Sequence, residues 1–261
     1  MKRHAKKALL VGNIEIPYTG YALESDKDSV TVAEISSFQL ETMVTFKPHV
    51  TAILNITPDH LDRHKTLENY IAIKESITKN QDENDFCVLN YNDPVLREFG
   101  KTPRCKVIFF SSSEELESGV FLRGDTMIIK ENGVETPVCT TKDTSLVGMH
   151  NYENIMAAIA MTHAMGVPLD TIRQGIKEFT AVEHRIEFVT EKNGVKYYND
   201  SKGTNPDAAI KAVYAMPSPT ILIGGGYDKK SSYDEWVATF EGRVKELLLI
   251  GKTKHVQDLR K

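Results

Sequence analysis

Four short runs of apolar, largely β-branched residues alternate with segments of a different period, and this alternation restricts the fold more than any other feature of the chain. KALLVGN (7–13), SVTVAEIS (29–36), HVTAILNI (49–56) and DFCVLNY (85–91) are nearly continuous in apolar character, as strands are when both faces of their sheet are covered. Between the last two, TLENYIAIKESITKN (66–80) repeats Leu67, Tyr70, Ile71, Ile73 and Ile77 near helical spacing. Strand, helix and strand in succession imply an α/β fold with a mostly parallel sheet.

Around 105–140 the rhythm changes. KVIFFSS and GVFLRGDTMIIKENGVETPV read as short strands joined by hairpins, with Asn132-Gly133 suited to a primed turn. A long helix is expected over 151–166, stopped by Gly166 with Pro168 beyond, and a second over 169–179. A new alternating series follows: a hairpin around Asn193-Gly194, a helix over 206–216, a strand over 220–226, and one more helix and strand in YDEWVATFEG and KELLLIG. A chain of 261 residues is long enough for two modest domains. The change of unit puts their boundary near Ala181, giving 1–181 and 182–261.

Composition narrows the partners. The net charge is -4 and the basic residues are scattered, which leaves no electrostatic footprint for nucleic acid or an anionic membrane and favours small-molecule partners. Cys87, Cys105 and Cys139 show no C-x-x-C spacing, so reduced, buried thiols are expected. The basic start MKRHAKKALLVGN carries an apolar run of four, short of the roughly 7–15 residues of a signal peptide. No apolar segment approaches membrane-spanning length. The expectation is a soluble cytoplasmic protein.

Four clusters sit where α/β proteins place sites, beyond the carboxyl ends of strands. In AEISSFQLE, Glu34 is followed by Ser36, Ser37 and Gln39, letters that also suit a capped surface turn. ILNITPDHLDRH ends a strand in Asp59, His60, Asp62 and His64; imidazole and carboxylate are ordinary ligands of divalent ions, and also ordinary caps. Lys74 lies on the next helix. In GMHNYENIMAA, Asn151 and Asn154 are three apart on one face of a helix start, beside His150 and a positive dipole end. In YNDSKGTNPDA, a lysine and hydroxyls precede a Pro-started helix, as in an anion cradle or a plain capped turn. GGGYDKKSS is a similar Gly-rich turn. IGKTK is no phosphate-binding loop, because Glu246 stands where the first glycine of that motif is required.

Taken in order, VGNIEIP, AEISSFQLE, LNITPDHLDRH with Lys74, GMHNYENIMAA, EHRIEF and YNDSKGTNPDA resemble the Mur ligases, and SSFQLE resembles the branch that adds D-glutamate. The resemblance runs through essentially the whole chain. It implies a central ATPase domain of Mur ligase type followed by a Rossmann-like domain, and an ATP- and Mg2+-dependent ligase of peptidoglycan precursor synthesis. Its substrates would be UDP-N-acetylmuramoyl-L-alanine and D-glutamate, joined through an acyl phosphate.

Carried over residue by residue, the resemblance makes Glu34 a ligand of one magnesium and His60 of a second, with Lys74 the family's carbamylated lysine. Asn13, Ser36 and Gln39 would face the muramoyl-alanine. Asn151, Asn154, Arg185 and Asp200 would contact nucleotide. Lys202, Ser201, Thr204 and Asn205 would serve the D-glutamate and acyl-phosphate side, with Lys229 a further contact.

The sequence also departs from the family. The phosphate-binding loop expected upstream of KRHAKKALLVGN, the uridine-binding N-terminal domain and the end of the D-glutamate domain are not in the sequence, and Glu15 replaces a usual glycine. The expectation is therefore a middle piece of the enzyme, partial in its second domain, with little activity of its own and able to self-associate through a truncated sheet edge. A nucleotide-binding module without chemistry, and a Mur-type ligase for another amino acid, are the alternatives.

Overall fold

The computed structural model describes residues 1, 4–5, 7–14, 16–180, 183–226 and 232–252. They form two compact units, 1–143 with 153–178, and 144–152 with 179 onward. The expected boundary at Ala181, like Glu15 and Lys229, lies outside the described residues.

In the first unit, β1 (Lys7–Gly12) pairs in parallel with β2 (Ser29–Glu34) as a separate two-stranded sheet. The chain continues through α1 (Ser37–Glu41), β3 (Val50–Ile53), α2 (Leu61–His64), α3 (Leu67–Glu75), β4 (Phe86–Asn90), α4 (Pro94–Phe99) and β5 (Lys106–Ser111). It goes on through β6 (Gly119–Arg123), β7 (Thr126–Glu131) and β8 (Val134–Thr140) to α5 (Met149–Ala164) and α6 (Leu169–Glu178). Strands β3 to β8 lie side by side in chain order. Pairing is parallel from β3 to β6 and antiparallel from β6 to β8. One expectation is corrected here: β5 continues the parallel sheet, so hairpins begin only at β6.

Each element has a local cause. Asn132 and Gly133 both take positive φ, 52° and 78°, which fits the primed turn that matches strand twist. Thr66 caps α3 by accepting from the Asn69 amide at 3.2 Å. Asp93 caps α4, with Pro94 at its first turn. Ile53, Leu89 and Leu96 pack into one apolar cluster with Cys87 and Cys105, under half-buried Ile56, Phe99 and Phe109. All three cysteines are free and buried, and burial pushes the Cys139 thiol up to about 11.

In the second unit, β9 (Glu187–Lys192) and β10 (Val195–Asn199) form an antiparallel hairpin through Asn193 and Gly194, both at positive φ. After α7 (Pro206–Ala215), β11 (Thr220–Gly226) pairs in parallel with β12 (Val244–Gly251) across α8 (Asp234–Ala238). Trp236 and Val213 are the buried centre of this unit, against Leu222, Leu247 and Leu249. Among the described residues, no helix is long and apolar enough to cross a membrane.

Candidate functional site

The carboxyl ends of β1 and β2 come together by register: Gly12 lies opposite Glu34. Gly12 has φ +103, and a Cβ there would stand 2.1 Å from the Glu34 carbonyl oxygen, so only glycine allows the approach. The next residue, Asn13, donates from Nδ2 to Glu34 Oε1 at 3.0 Å. This aims an exposed carboxylate beyond the sheet end. The chain then enters α1 through a capping box: Ser36 accepts from the Gln39 amide, and Gln39 Oε1 accepts from Ser36 N at 2.8 Å. The side-chain oxygen of Gln39 is thereby engaged within its own turn.

The loop after β3 separates its two histidines. His60 is half exposed, 48% at the side chain, and sits edge-on to Phe38 of α1 with ring centroids 4.9 Å apart. His64 is 0% exposed at the side chain. Its Nε2 lies 3.0 Å from Ser37 Oγ, and its ring lies between Phe38 (5.6 Å) and Tyr70 (5.4 Å). Asp59 caps the loop by accepting from His60 N at 2.8 Å. Lys74 places Nζ 5.1 Å from the centre of the Tyr70 ring, a cation–π contact. Among the described residues, no three His, Cys, Asp or Glu side chains gather as a ready metal site.

In the second unit, two strained residues flank Arg185: His184 at φ 66 and Ile186 at φ 47. A β-branched residue at positive φ is held only where its surroundings over-determine it. Here Asp200 Oδ1 accepts from Ile186 N at 3.0 Å, Glu187 Oε2 accepts from His184 N at 2.8 Å, and Ile186 itself is buried. Burial raises the Asp200 carboxyl above its usual range, against the opposing pull of the Ile186 amide and Arg185. The backbone of Lys202 donates to His184 O at 2.9 Å. Asn205 caps α7, accepting from Ala208 N at 2.8 Å. Gly148 is confined at φ +95, where a Cβ would stand 2.7 Å from Ala215 Cβ. Asn151 Nδ2 donates to Val147 O at 2.8 Å; Asn154, in the part of α5 that belongs to the first unit, is exposed.

A family model described as Mur ligase middle domain matches residues 5–162, and one described as Mur ligase, glutamate ligase domain matches 184–261. The chain belongs to the Mur ligase family. A UDP-N-acetylmuramoylalanine--D-glutamate ligase of Lachnoclostridium phytofermentans is 53% identical over 254 residues, covering 97% of this chain and 56% of that protein. One of the same name from Lachnospira eligens is 53% identical over 248 residues, covering 95% of this chain and 55% of that protein. The chain thus spans about half the length of the curated relatives it matches. Among solved structures, MurF from Acinetobacter baumannii superposes with TM-score 0.66 at 18% identity, over 95% of this chain and 62% of that one. MurF ligase from Thermotoga maritima, solved in complex with ADP, gives 0.62 at 16%, over 99% and 74%. These likenesses show the Mur ligase fold.

On this Mur ligase scaffold, the structure joins Asn13 to Glu34, Ser36 to Gln39, and Asp200 to the Arg185 turn. His60 and Lys74 are linked through an aromatic series, Phe38, His64 and Tyr70. Phe38 and Tyr70 are the residues that sequence reading missed. Tyr70 and Lys74 are four apart on one helix, which was the available signal; nothing in the spacing marked Phe38.

Proposed function

We propose that this chain carries the nucleotide and amino-acid sides of a cytoplasmic, ATP-dependent ligase that joins D-glutamate to UDP-N-acetylmuramoyl-L-alanine in peptidoglycan precursor synthesis. The observation that carries this reading is the 53% identity over 97% of the chain with a relative of that name. In this reaction ATP phosphorylates the alanyl carboxylate, the amine of D-glutamate attacks the acyl phosphate, and the tetrahedral intermediate expels phosphate. Proteins assist such steps by orientation and by neutralising charge.

Magnesium suits the donor set present. The ion is commonly bound by one or two carboxylates together with waters and phosphate oxygens rather than by an all-protein cage. Glu34 offers such a carboxylate: Asn13 braces Oε1, and Oε2 has no hydrogen-bond partner among the described residues. In this reading Glu34 would hold one Mg2+ and His60 a second, and the ions when bound would neutralise phosphate charge. Lys74, as a carbamate, would add negative charge to the metal side of the site in place of the cation it now sets over the Tyr70 ring.

The remaining assignments follow the same reading. Asn151, Asn154, Arg185 and Asp200 bind nucleotide. Exposed Lys202, with Ser201, Thr204 and Asn205, lies at the start of α7 and orients D-glutamate and the acyl phosphate. Asn13, Ser36 and Gln39 face the muramoyl-alanine, and Lys229 is a further substrate contact. Self-association is part of the proposal too, through the outer edge of β3, the first strand of its sheet. Light scattering that reports a monodisperse monomer at all concentrations would remove that element.

Calorimetric titration with ATP and Mg2+ tests the nucleotide reading. Wild type should bind, and Glu34→Ala should bind at least about tenfold more weakly, as loss of a metal-side carboxylate implies. No binding by wild type, or equal binding by Glu34→Ala, overturns it. Incubation with 13C-bicarbonate should give a carbamate carbon resonance that disappears in Lys74→Arg.

A further inference from the structure

The short helix α2 is strained at both ends. His60, which precedes it, has φ 51, and Lys65, which follows it, has φ 72. Neither is glycine, and left-handed backbone at such residues persists only where surrounding contacts over-determine it. Four residues of helix with three backbone bonds, from Arg63 N and His64 N to His60 O at 3.0 Å each and from Lys65 N to Leu61 O at 2.9 Å, cannot supply that restraint alone.

The restraint comes from His64. Its imidazole is wholly buried, with Nε2 3.0 Å from Ser37 Oγ and Nδ1 3.2 Å from Glu41 Oε1, the latter without hydrogen-bond geometry. Glu41 is held in turn by Arg63, whose Nη2 donates to Oε2 at 2.7 Å. The His64 carbonyl accepts from Asn69 Nδ2 at 3.1 Å, tying the turn to α3. Phe38, stacked on one side of His64, is the ring that His60 meets edge-on. Tyr70, on another side, carries Lys74. One buried ring therefore locks α1, α2 and α3 together at the place where His60 and Lys74 emerge.

We propose that His64 is a positioning residue: gripped by Ser37 and Glu41, it holds His60 in its left-handed conformation against Phe38 and so presets the imidazole for the metal side of the site. The inference rests on the proposed role of His60. His64 touches no substrate in this scheme and acts through its neighbours. Groups that orient a ligand in this way affect metal affinity by about 10- to 100-fold when removed.

The test uses the chain labelled with 13C- and 15N-histidine. His64→Phe keeps the ring and its stacking but removes both polar grips. Expected are a shift of the His60 Cα resonance from its left-handed position toward an averaged value, loss of the contact between the His60 and Phe38 rings, and about tenfold weaker Mn2+ binding in the presence of ATP. A role confined to stability would lower the melting temperature and leave the His60 resonances unmoved; that result, in a cooperatively folded His64→Phe, overturns the inference. Should His64→Phe fail to fold, the Ser37→Ala/Glu41→Gln double variant decides by the same resonances. The two readings separate cleanly. If Mn2+ with ATP does not broaden His60 in wild type, the metal role falls, whereas the His60 backbone resonance still decides whether His64 positions it.

Discussion

Asn13 and Glu34 meet twice across the parallel strands that carry them: the Asn13 amide donates to the Glu34 carbonyl at 2.7 Å, and Asn13 Nδ2 donates to Oε1 at 3.0 Å. The first contact extends the ladder by one residue beyond Gly12, and the second orients a carboxylate. Both side chains are exposed, so Asn13→Ala should change unfolding free energy by no more than about 0.5 kcal/mol. It should nevertheless weaken Mn2+ binding in the presence of ATP by about tenfold, since the carboxylate loses its orienting partner. Paramagnetic titration alongside thermal melting separates the two effects.

Gly12 allows that meeting. With φ +103 and a Cβ position 2.1 Å from the Glu34 carbonyl oxygen, Gly12→Ala must move backbone rather than a flexible side-chain end. Strained φ and overpacking together should cost about 3 kcal/mol, read from the urea midpoint. An effect under about 0.5 kcal/mol, the range of a neutral surface change, would contradict the β1–β2 register.

Asp93 should be a more expensive loss than its place in a surface turn suggests. Its Oδ1 accepts from Val95 N at 2.9 Å and Leu96 N at 3.2 Å, capping α4, and its Oδ2 accepts from Ile56 N at 2.7 Å. Ile56 opens the segment that leads to His60. Asp93→Ala removes a helix cap, about 1 kcal/mol, and strands the partly buried Ile56 N–H, about 1–3 kcal/mol more. Denaturant unfolding should show the combined loss with an unchanged slope, and the loop resonances from Ile56 to His60 should shift with it.

What could be read from the sequence, and what could not, follows the range of the forces involved. The turns at Asn132-Gly133 and Asn193-Gly194 were legible because positive φ at two successive positions is a local demand with a short list of residues. The parallel course of β5 into β6 was not, since β-branched letters serve either pairing and direction depends on the seven residues between the strands. The separation of β1–β2 from the larger sheet is likewise a matter of distant partners. Asn13, Glu34, Ser36 and Gln39 could be singled out by motif. The difference between His60 and His64 could not: the two sit in one short loop with similar neighbours, and Ser37, Glu41 and Tyr70, brought in by other elements, help bury one while the other stays half exposed. The assignment of 144–152 to the second unit, ahead of the rest of α5, was hidden for the same reason.

His150 should make stability depend on pH in a definite direction. The ring is half-buried, and its pKa lies below 6.5, first because burial disfavours the imidazolium and then because Lys211 and Arg185 add positive charge nearby. In the unfolded chain the same ring takes up its proton near pH 6.5. Between that value and the lower folded pKa, the unfolded state holds more protons, so stability rises with pH across this interval. The contribution is complete above pH 6.5 and is lost as pH falls through the folded pKa. Asp200 acts with the opposite sign: burial raises its carboxyl above 3.8, so the folded state keeps that proton longer and loses stability as pH rises through its own interval. Subtracting one variant from wild type isolates the histidine. His150→Gln keeps a polar side chain of similar reach without a titrating group, and its melting temperature should fall less than that of wild type between pH 7 and pH 5. Parallel melting curves for the two proteins over that range would mean that neither burial nor the charge of Lys211 and Arg185 disfavours the imidazolium in the folded state.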